Sequence, residues 1–198
     1  MRSVPFAVAD GFRIQLVNSD SGNLEVNISY RTLIRLGALA AMMAGILRVA
    51  TSFNSSSATG VSVELLYLVI DLLLLFAIVA VYAHVRERSG WIGFVGFVLA
   101  LAGTASIVGP DGTLGGVDMY VVGATMLSIG LAVLSVAAWR RAALPRAVCA
   151  LWVGSTVIGV GGYIVRGPAV LLTLAGLAFG VGFLLAGLRM WREAEPER

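Results

Sequence analysis

The feature that most constrains this chain is an apolar run, residues 63–85, that carries two acidic side chains. The run VELLYLVIDLLLLFAIVAVYAHV has 23 residues. As an α-helix it would extend about 34 Å, against about 30 Å for the hydrocarbon core of a bilayer. Glu64, Tyr67 and Asp71 are spaced three and four residues apart and therefore share one side of this helix. We expect that side to face protein or a water-filled cavity rather than lipid.

The composition places the chain among integral membrane proteins. Of its 198 residues, 59% are hydrophobic and 13% are charged, and the mean hydropathy is +0.93, whereas soluble domains are about 45–50% apolar. All fourteen basic residues are arginines. They flank apolar segments rather than forming a patch with aromatic residues, so we predict the lipid bilayer as partner and no nucleic acid.

Six apolar segments are long enough to cross a membrane, and short turns connect them. Because short connections make successive helices antiparallel neighbours, we predict an all-α fold, a polytopic bundle of six transmembrane helices. The expected organisation is an N-terminal tail (1–29), a transmembrane domain (30–192) and a C-terminal tail (193–198). The N-terminal tail lacks a signal-peptide pattern, and Val26 is an alternative translation start. The six segments are residues 33–52, 63–85, 91–108, 118–139, 147–165 and 168–190.

The arginines are distributed unequally between the two sides of this arrangement. Twelve lie on the side of both termini, and only Arg48 and Arg166 lie near the other. Because cytoplasmic segments of membrane proteins are enriched in basic residues, both termini are predicted to be cytoplasmic, in a bacterial inner membrane.

The segments also form an internal repeat of three tandem hairpins, residues 31–88, 91–141 and 146–192. Each hairpin begins with a glycine-rich helix and ends in arginines. Small residues recur at helical spacing and predict close helix packing within the chain, although the same faces would suit a homo-oligomer or a membrane complex. These residues are Gly37, Ala41, Gly45, Gly93, Gly96, Ala100, Gly103, Gly176 and Gly180.

The repeat places charged residues at the outer ends of the helices. Aligning the first two hairpins sets Glu64 opposite Asp118, each at the outer start of a helix. Arg48 and Arg166 fall at the outer ends of other helices. The repeat therefore predicts an outer rim of two acids and two arginines.

Asp71 is the most informative single residue. It lies about eight residues inside the outer boundary, where a carboxylate facing lipid would cost roughly 2.5–3.5 kcal/mol. Arg48, one turn inside the outer end of the preceding helix, is its expected partner within ion-pairing distance. The resulting polar cluster of Arg48, Glu64, Tyr67 and Asp71 is interpreted either as a structural ion pair or as a proton or cation site.

Enzymatic and cofactor chemistry is not predicted. His84 is the only histidine and Cys149 the only cysteine, so multi-histidine metal sites, bis-histidine haem and thiolate clusters are hard to build. Membrane-helix hydroxyls usually bond to backbone, and GPDGTLGG lacks the spacing of a phosphate loop. The four tryptophans mostly fall near predicted cytoplasmic boundaries, where such rings suit the interface.

Two resemblances complete the sequence evidence. The segment LYLVIDLLLLFAIVAVYAHVRERSGWIGFVGFVLALAGTA resembles the second-to-third helix region of uncharacterised actinobacterial-type six-helix membrane proteins. The three-hairpin plan, with Gly-Pro turns at 109–110 and 167–168, is similar to the acid-resistance membrane protein family, whose Trp-Pro-Gly turn is absent here. The latter resemblance implies a non-enzymatic envelope role and transfers no site residues.

The sequence thus supports two functions. The first is a non-enzymatic inner-membrane protein with a structural, envelope-stress or complex-accessory role. The alternative is a small transporter or channel for a proton, cation or small solute that uses Glu64 and Asp71. A cavity lined by Asp71 would favour the alternative, because a packed ion pair leaves no room for a substrate.

Overall fold

The computed structural model describes residues 30–53, 61–108 and 113–195. The predicted tail 1–29 and residues 196–198 lie outside these ranges. The described residues form five helices, each long and apolar enough to cross a membrane, so the all-α prediction is confirmed. The helices are α1 (Tyr30–Ser52), α2 (Val61–Ile107), α3 (Met119–Arg140), α4 (Arg146–Ile164) and α5 (Ala169–Glu193).

Helix α2 covers two segments that the sequence predicts as separate helices, 63–85 and 91–108. Gly90 interrupts it with a non-helical backbone, φ 62° and ψ −163°, a conformation essentially restricted to glycine. The rings of Tyr82 and Phe97 stack with centroids 4.2 Å apart, whereas residues so spaced on a straight helix would be about 22 Å apart. The chain therefore reverses at Gly90, with a single non-helical residue where a longer turn was expected.

A short β-hairpin precedes α3. Strands β1 (Thr113–Leu114) and β2 (Val117–Asp118) pair antiparallel. Gly115 and Gly116, with φ of 60° and 83°, supply the two positive φ values that a two-residue turn of this hand requires. The sequence predicted only an outer turn at 109–116, of which residues 109–112 lie outside the described ranges.

Glycines bring two pairs of helices into backbone contact. A Cβ built on Gly45 of α1 would lie 2.5 Å from the carbonyl oxygen of Gly180 in α5. A Cβ on Gly103 of α2 would lie 2.6 Å from the carbonyl oxygen of Gly123 in α3. Small residues permit this close approach. The resulting van der Waals packing holds the helices together, because no hydrophobic driving force acts between helices in lipid. The predicted glycine faces at these positions are used between helices of the chain.

The helices close into a bundle with lipid-compatible outer faces. α1 packs against α2 and α5, and α4 packs against α3 and α5. Large apolar side chains point outward, with Ile46 54%, Phe76 62% and Val157 66% exposed, as expected where lipid is the solvent. We call the end near Tyr30 and Glu193 the terminal end and the end near Ser52 and Ala169 the rim end.

Candidate functional site

A wide cavity opens at the rim end of the bundle. Its volume is about 890 Å³, and we call it the outer cavity. All four residues of the predicted polar cluster line it, together with Asp118. Arg166, the fourth member of the predicted rim, is not among its lining residues. The cluster residues are Arg48 at the end of α1 and Glu64, Tyr67 and Asp71 on α2.

A second cavity of about 370 Å³ continues into the bundle between α2, α3, α4 and α5, and we call it the inner cavity. Arg48, Asp71 and Tyr120 line both cavities, so the two are adjoining parts of one space. Much of the inner wall is apolar, with Leu74, Leu127, Val160 and Phe179 among its residues. Hydroxyls interrupt this wall, from Tyr120, Thr125, Ser128, Ser155 and Tyr163.

Arg48 and Asp71 do not form the expected ion pair. Within the described ranges, the salt bridges with a nitrogen–oxygen distance of 4.0 Å or less both involve Glu193 at the terminal end. The prediction of a direct pair is therefore wrong. Helical spacing does not fix the lateral distance between α1 and α2, on which such a pair depends. Both side chains line the inner cavity instead.

The last turn of α1 is held by local hydrogen bonds around Arg48. The hydroxyls of Thr51 and Ser52 donate to the carbonyl oxygen of Arg48, at 3.1 Å and 2.8 Å. Both residues also line the outer cavity. The backbone at the rim is thus satisfied locally, while the Arg48 side chain remains directed to the cavity it lines.

Asp118 and Arg166 each lie at the end of a helix, where they have different roles. The Asp118 Oδ1 accepts hydrogen bonds from the backbone N–H groups of Tyr120 and Val121, at 2.9 Å and 3.3 Å, and so caps α3. Arg166 adopts φ 48° after the end of α4, where Gly167 N–H donates to the Gly162 carbonyl at 2.8 Å, as in a Schellman motif. Asp118 therefore joins the acidic mouth of the cavity, whereas Arg166 ends a helix.

An aromatic cluster forms the floor of the inner cavity. Phe179 lines the cavity, and its ring lies 5.0 Å from that of Phe183, which in turn lies 4.9 Å from Trp152. Trp152 is only 1% exposed, so its ring packs inside the bundle rather than on its outer surface. The absence of a side chain at Gly182 makes space for its indole, since a Cβ there would lie 2.5 Å from Nε1.

The terminal end is closed by polar contacts between α1, α2 and α5. His84 Nε2 lies 2.9 Å from a carboxylate oxygen of Glu193, which also pairs with Arg189. Arg35 donates to the carbonyl of Ala194 at 3.0 Å and lies over the Trp191 ring. His84 is therefore part of a helix-joining network rather than of the cavity. Sequence reasoning missed the His84–Glu193 and Arg35–Ala194 contacts because each joins residues more than a hundred positions apart.

The hydroxyls of the inner cavity were also missed as site residues. Ser155 donates to the Ala175 carbonyl at 2.8 Å, across to α5. The neighbouring Thr156, which is not among the residues that line the cavity, donates to the Ser128 carbonyl at 2.8 Å, across to α3. These bonds follow the expected behaviour of membrane-helix hydroxyls. The signal that could have located the wall is the four-residue spacing of Ser155, Gly159 and Tyr163 on α4, which puts them on one face.

The cavity lining supplies charged groups and hydrogen-bonding groups. In the described part of the chain, no group of three or more histidine, cysteine, aspartate or glutamate residues is arranged to hold a metal ion. Cys149 is buried in α4, consistent with an apolar packing role. Comparisons of the chain with protein-family models, with curated proteins and with solved structures found no match.

Proposed function

We propose that this chain is a non-enzymatic, multi-pass membrane protein that binds a small solute in its rim-end cavity, as a transporter does. The observation that carries the proposal is that Arg48 and Asp71, of opposite charge, line one cavity without a direct ion pair between them. Partly buried charges need compensation, and a polar solute or water in the gap supplies it. The inner cavity, about 370 Å³, falls in the range of about 300–1,000 Å³ typical of ligand pockets.

The proposal includes a six-span topology. The reversal at Gly90 supports treating the two arms of α2 as separate spans, so that three hairpins cross the membrane in tandem. The arginine bias supports cytoplasmic termini in a bacterial inner membrane, with the cavity opening on the opposite face. Because the glycine faces at Gly45 and Gly103 are filled within the chain, the proposal does not require a homo-oligomer. The two resemblances agree with this topology.

A structural or accessory role is the second candidate. The aromatic floor of Trp152, Phe179 and Phe183 favours it, because these side chains fill the bundle below the inner cavity. A transporter must open this floor during its cycle, whereas a scaffold need not. Both candidate functions involve the same charged residues at the rim end. They differ in whether water and solute enter the cavity.

Cysteine accessibility tests the proposal on the purified protein in lipid nanodiscs. With Cys149 replaced by alanine, Thr125→Cys places a thiol on the inner cavity wall and Ala138→Cys places one at a fully buried position of the same helix. A charged methanethiosulfonate reagent attacks only hydrated thiolate, so we expect the cavity thiol to react at least about tenfold faster.

The Ala138→Cys variant controls for the general reactivity of thiols on α3. Equal, slow labelling of both thiols would show that the inner cavity excludes water, and the structural role would replace the proposed one. Equal, fast labelling would show that the bundle is loosely packed throughout, which also contradicts a defined cavity.

A further inference from the structure

We propose that the solute is an α-amino acid with an apolar side chain, held by its carboxylate at Arg48 and by its ammonium group at Asp71. This inference rests on the proposed function and adds the chemical class of the ligand. It is carried by three features of the inner cavity: its charges, the separation of those charges, and the apolar wall beneath them.

The charges of the inner cavity are balanced. Arg48 and Asp71 are its only charged lining residues among those described. One positive and one negative group match a solute that carries both signs, because each protein charge then acquires an opposite partner. An arginine guanidinium suits a carboxylate in particular, since its planar fork can form two parallel hydrogen bonds.

Arg48 and Asp71 are not paired directly with each other. No nitrogen–oxygen contact of 4.0 Å or less joins Arg48 to Asp71 in the described chain, yet both line the same cavity. The ammonium and carboxylate of an α-amino acid are attached to one carbon, so they can bridge such a gap. Each charge-assisted hydrogen bond would span about 2.7–2.9 Å.

The wall beneath the charges suits an apolar side chain. Leu74, Leu127 and Phe179 contribute apolar surface, and Gly159 and Gly176 add none of their own bulk. A side chain that points from the charges toward Phe179 would be buried in this part of the cavity, which gives favourable transfer from water. The wall residues that carry hydroxyl groups add no formal charge to this part of the cavity.

The mouth of the site argues against a simple anion. Glu64, Asp71 and Asp118 line the outer cavity with Arg48, giving an excess of acidic groups. An ammonium-bearing solute would be attracted to this entrance, and an anion would be repelled. A solute with only an ammonium group would leave the Arg48 charge without a partner.

Three probes with the same aromatic body separate these alternatives. L-phenylalanine carries both charged groups, 2-phenylethylamine carries only the ammonium, and 3-phenylpropionate carries only the carboxylate. Isothermal titration calorimetry on the protein in nanodiscs would measure the three dissociation constants. We expect L-phenylalanine to bind about ten- to a hundredfold more tightly than either analogue, since each analogue lacks one charged hydrogen-bonding group.

Two variants assign each solute group to its protein partner. Asp71→Asn should remove most of the advantage of L-phenylalanine over 3-phenylpropionate, and Arg48→Gln most of its advantage over 2-phenylethylamine. Glu87→Gln is the matched control, because Glu87 is an exposed acid on the same helix and does not line either cavity. Its three dissociation constants should equal those of the parent protein.

The possible outcomes distinguish this inference from the proposed function. Equal or tighter binding of either analogue would overturn the amino-acid assignment while leaving a solute site in place. Absence of binding by all three probes, with the Thr125→Cys thiol still reactive, would also overturn the assignment but not the open cavity. Absence of binding together with an unreactive thiol would contradict both.

Discussion

At the scale of residues, the relation between Arg48 and Asp71 determines how the bundle is interpreted. An ion pair within bonding distance would compensate both charges internally, and the helices would close around it. In the structure both side chains instead line one cavity, and no direct ion pair joins them. Under the proposed function, compensation comes from water or from the bound solute.

A double-mutant cycle tests this relation. If the side chains do not pair, Arg48→Met and Asp71→Leu should change thermal stability in detergent nearly additively, with a coupling below about 1 kcal/mol. A directly bonded buried pair would behave differently, because losing one partner costs about 3–5 kcal/mol and losing both can be neutral. Strong rescue of Arg48→Met by Asp71→Leu would therefore show that the two residues pair.

The residues of the cavity mouth could be predicted from the sequence, but their contacts could not. Polar side chains spaced three and four residues apart in an apolar helix must avoid lipid, and this predicts that Glu64, Tyr67 and Asp71 share a polar face. The distance to Arg48 depends on how far α1 and α2 separate at the rim end, which has no local sequence signal. The position of Trp152 was missed for a similar reason, since the space it fills is created by Gly182 on another helix.

At the scale of elements, glycines act in two separate ways. Gly45 allows α1 and α5 to touch backbone to backbone, whereas Gly90 allows α2 to reverse. The glycine spacing predicted the first role. The second was predicted only as a short turn, because the flanking residues 86–89 are good enough helix formers to continue the helix up to Gly90.

Three glycine-to-alanine variants separate these roles. Gly45→Ala should cost about 1–3 kcal/mol, because its Cβ would press against backbone atoms of Gly180 and Leu184. Gly90→Ala should also cost about 1–3 kcal/mol, although no atom lies within 4 Å of its Cβ position. Gly154→Ala in α4 meets no atom within 4 Å and should be neutral or stabilising by up to about 1 kcal/mol.

Thermal unfolding of the purified variants in detergent would measure these differences. Gly154→Ala is the control for replacing glycine by alanine in a helix. The difference in stability between Gly90→Ala and Gly154→Ala then measures the cost of the positive φ at position 90. If Gly90→Ala were as stable as Gly154→Ala, the reversal within α2 would not depend on the positive φ. If Gly45→Ala were tolerated, the close α1–α5 contact would be in doubt.

At the scale of the whole molecule, the two ends of the bundle differ. The terminal end is joined by the His84–Glu193 contact and by the hydrogen bond from Arg35 to Ala194. The rim end holds the cavities and their acidic mouth. Under the proposed function, this difference gives a solute access from one side of the membrane.

The proposed function is best tested by measuring from which side of the membrane a reagent reaches the inner cavity. The Thr125→Cys protein, with Cys149 replaced by alanine, would be treated in intact cells and in inside-out vesicles with a membrane-impermeant methanethiosulfonate. We expect labelling in intact cells and little labelling in inside-out vesicles, because in the proposed topology the cavity opens at the end away from the cytoplasmic termini. Labelling only in inside-out vesicles, or in neither preparation, would contradict it.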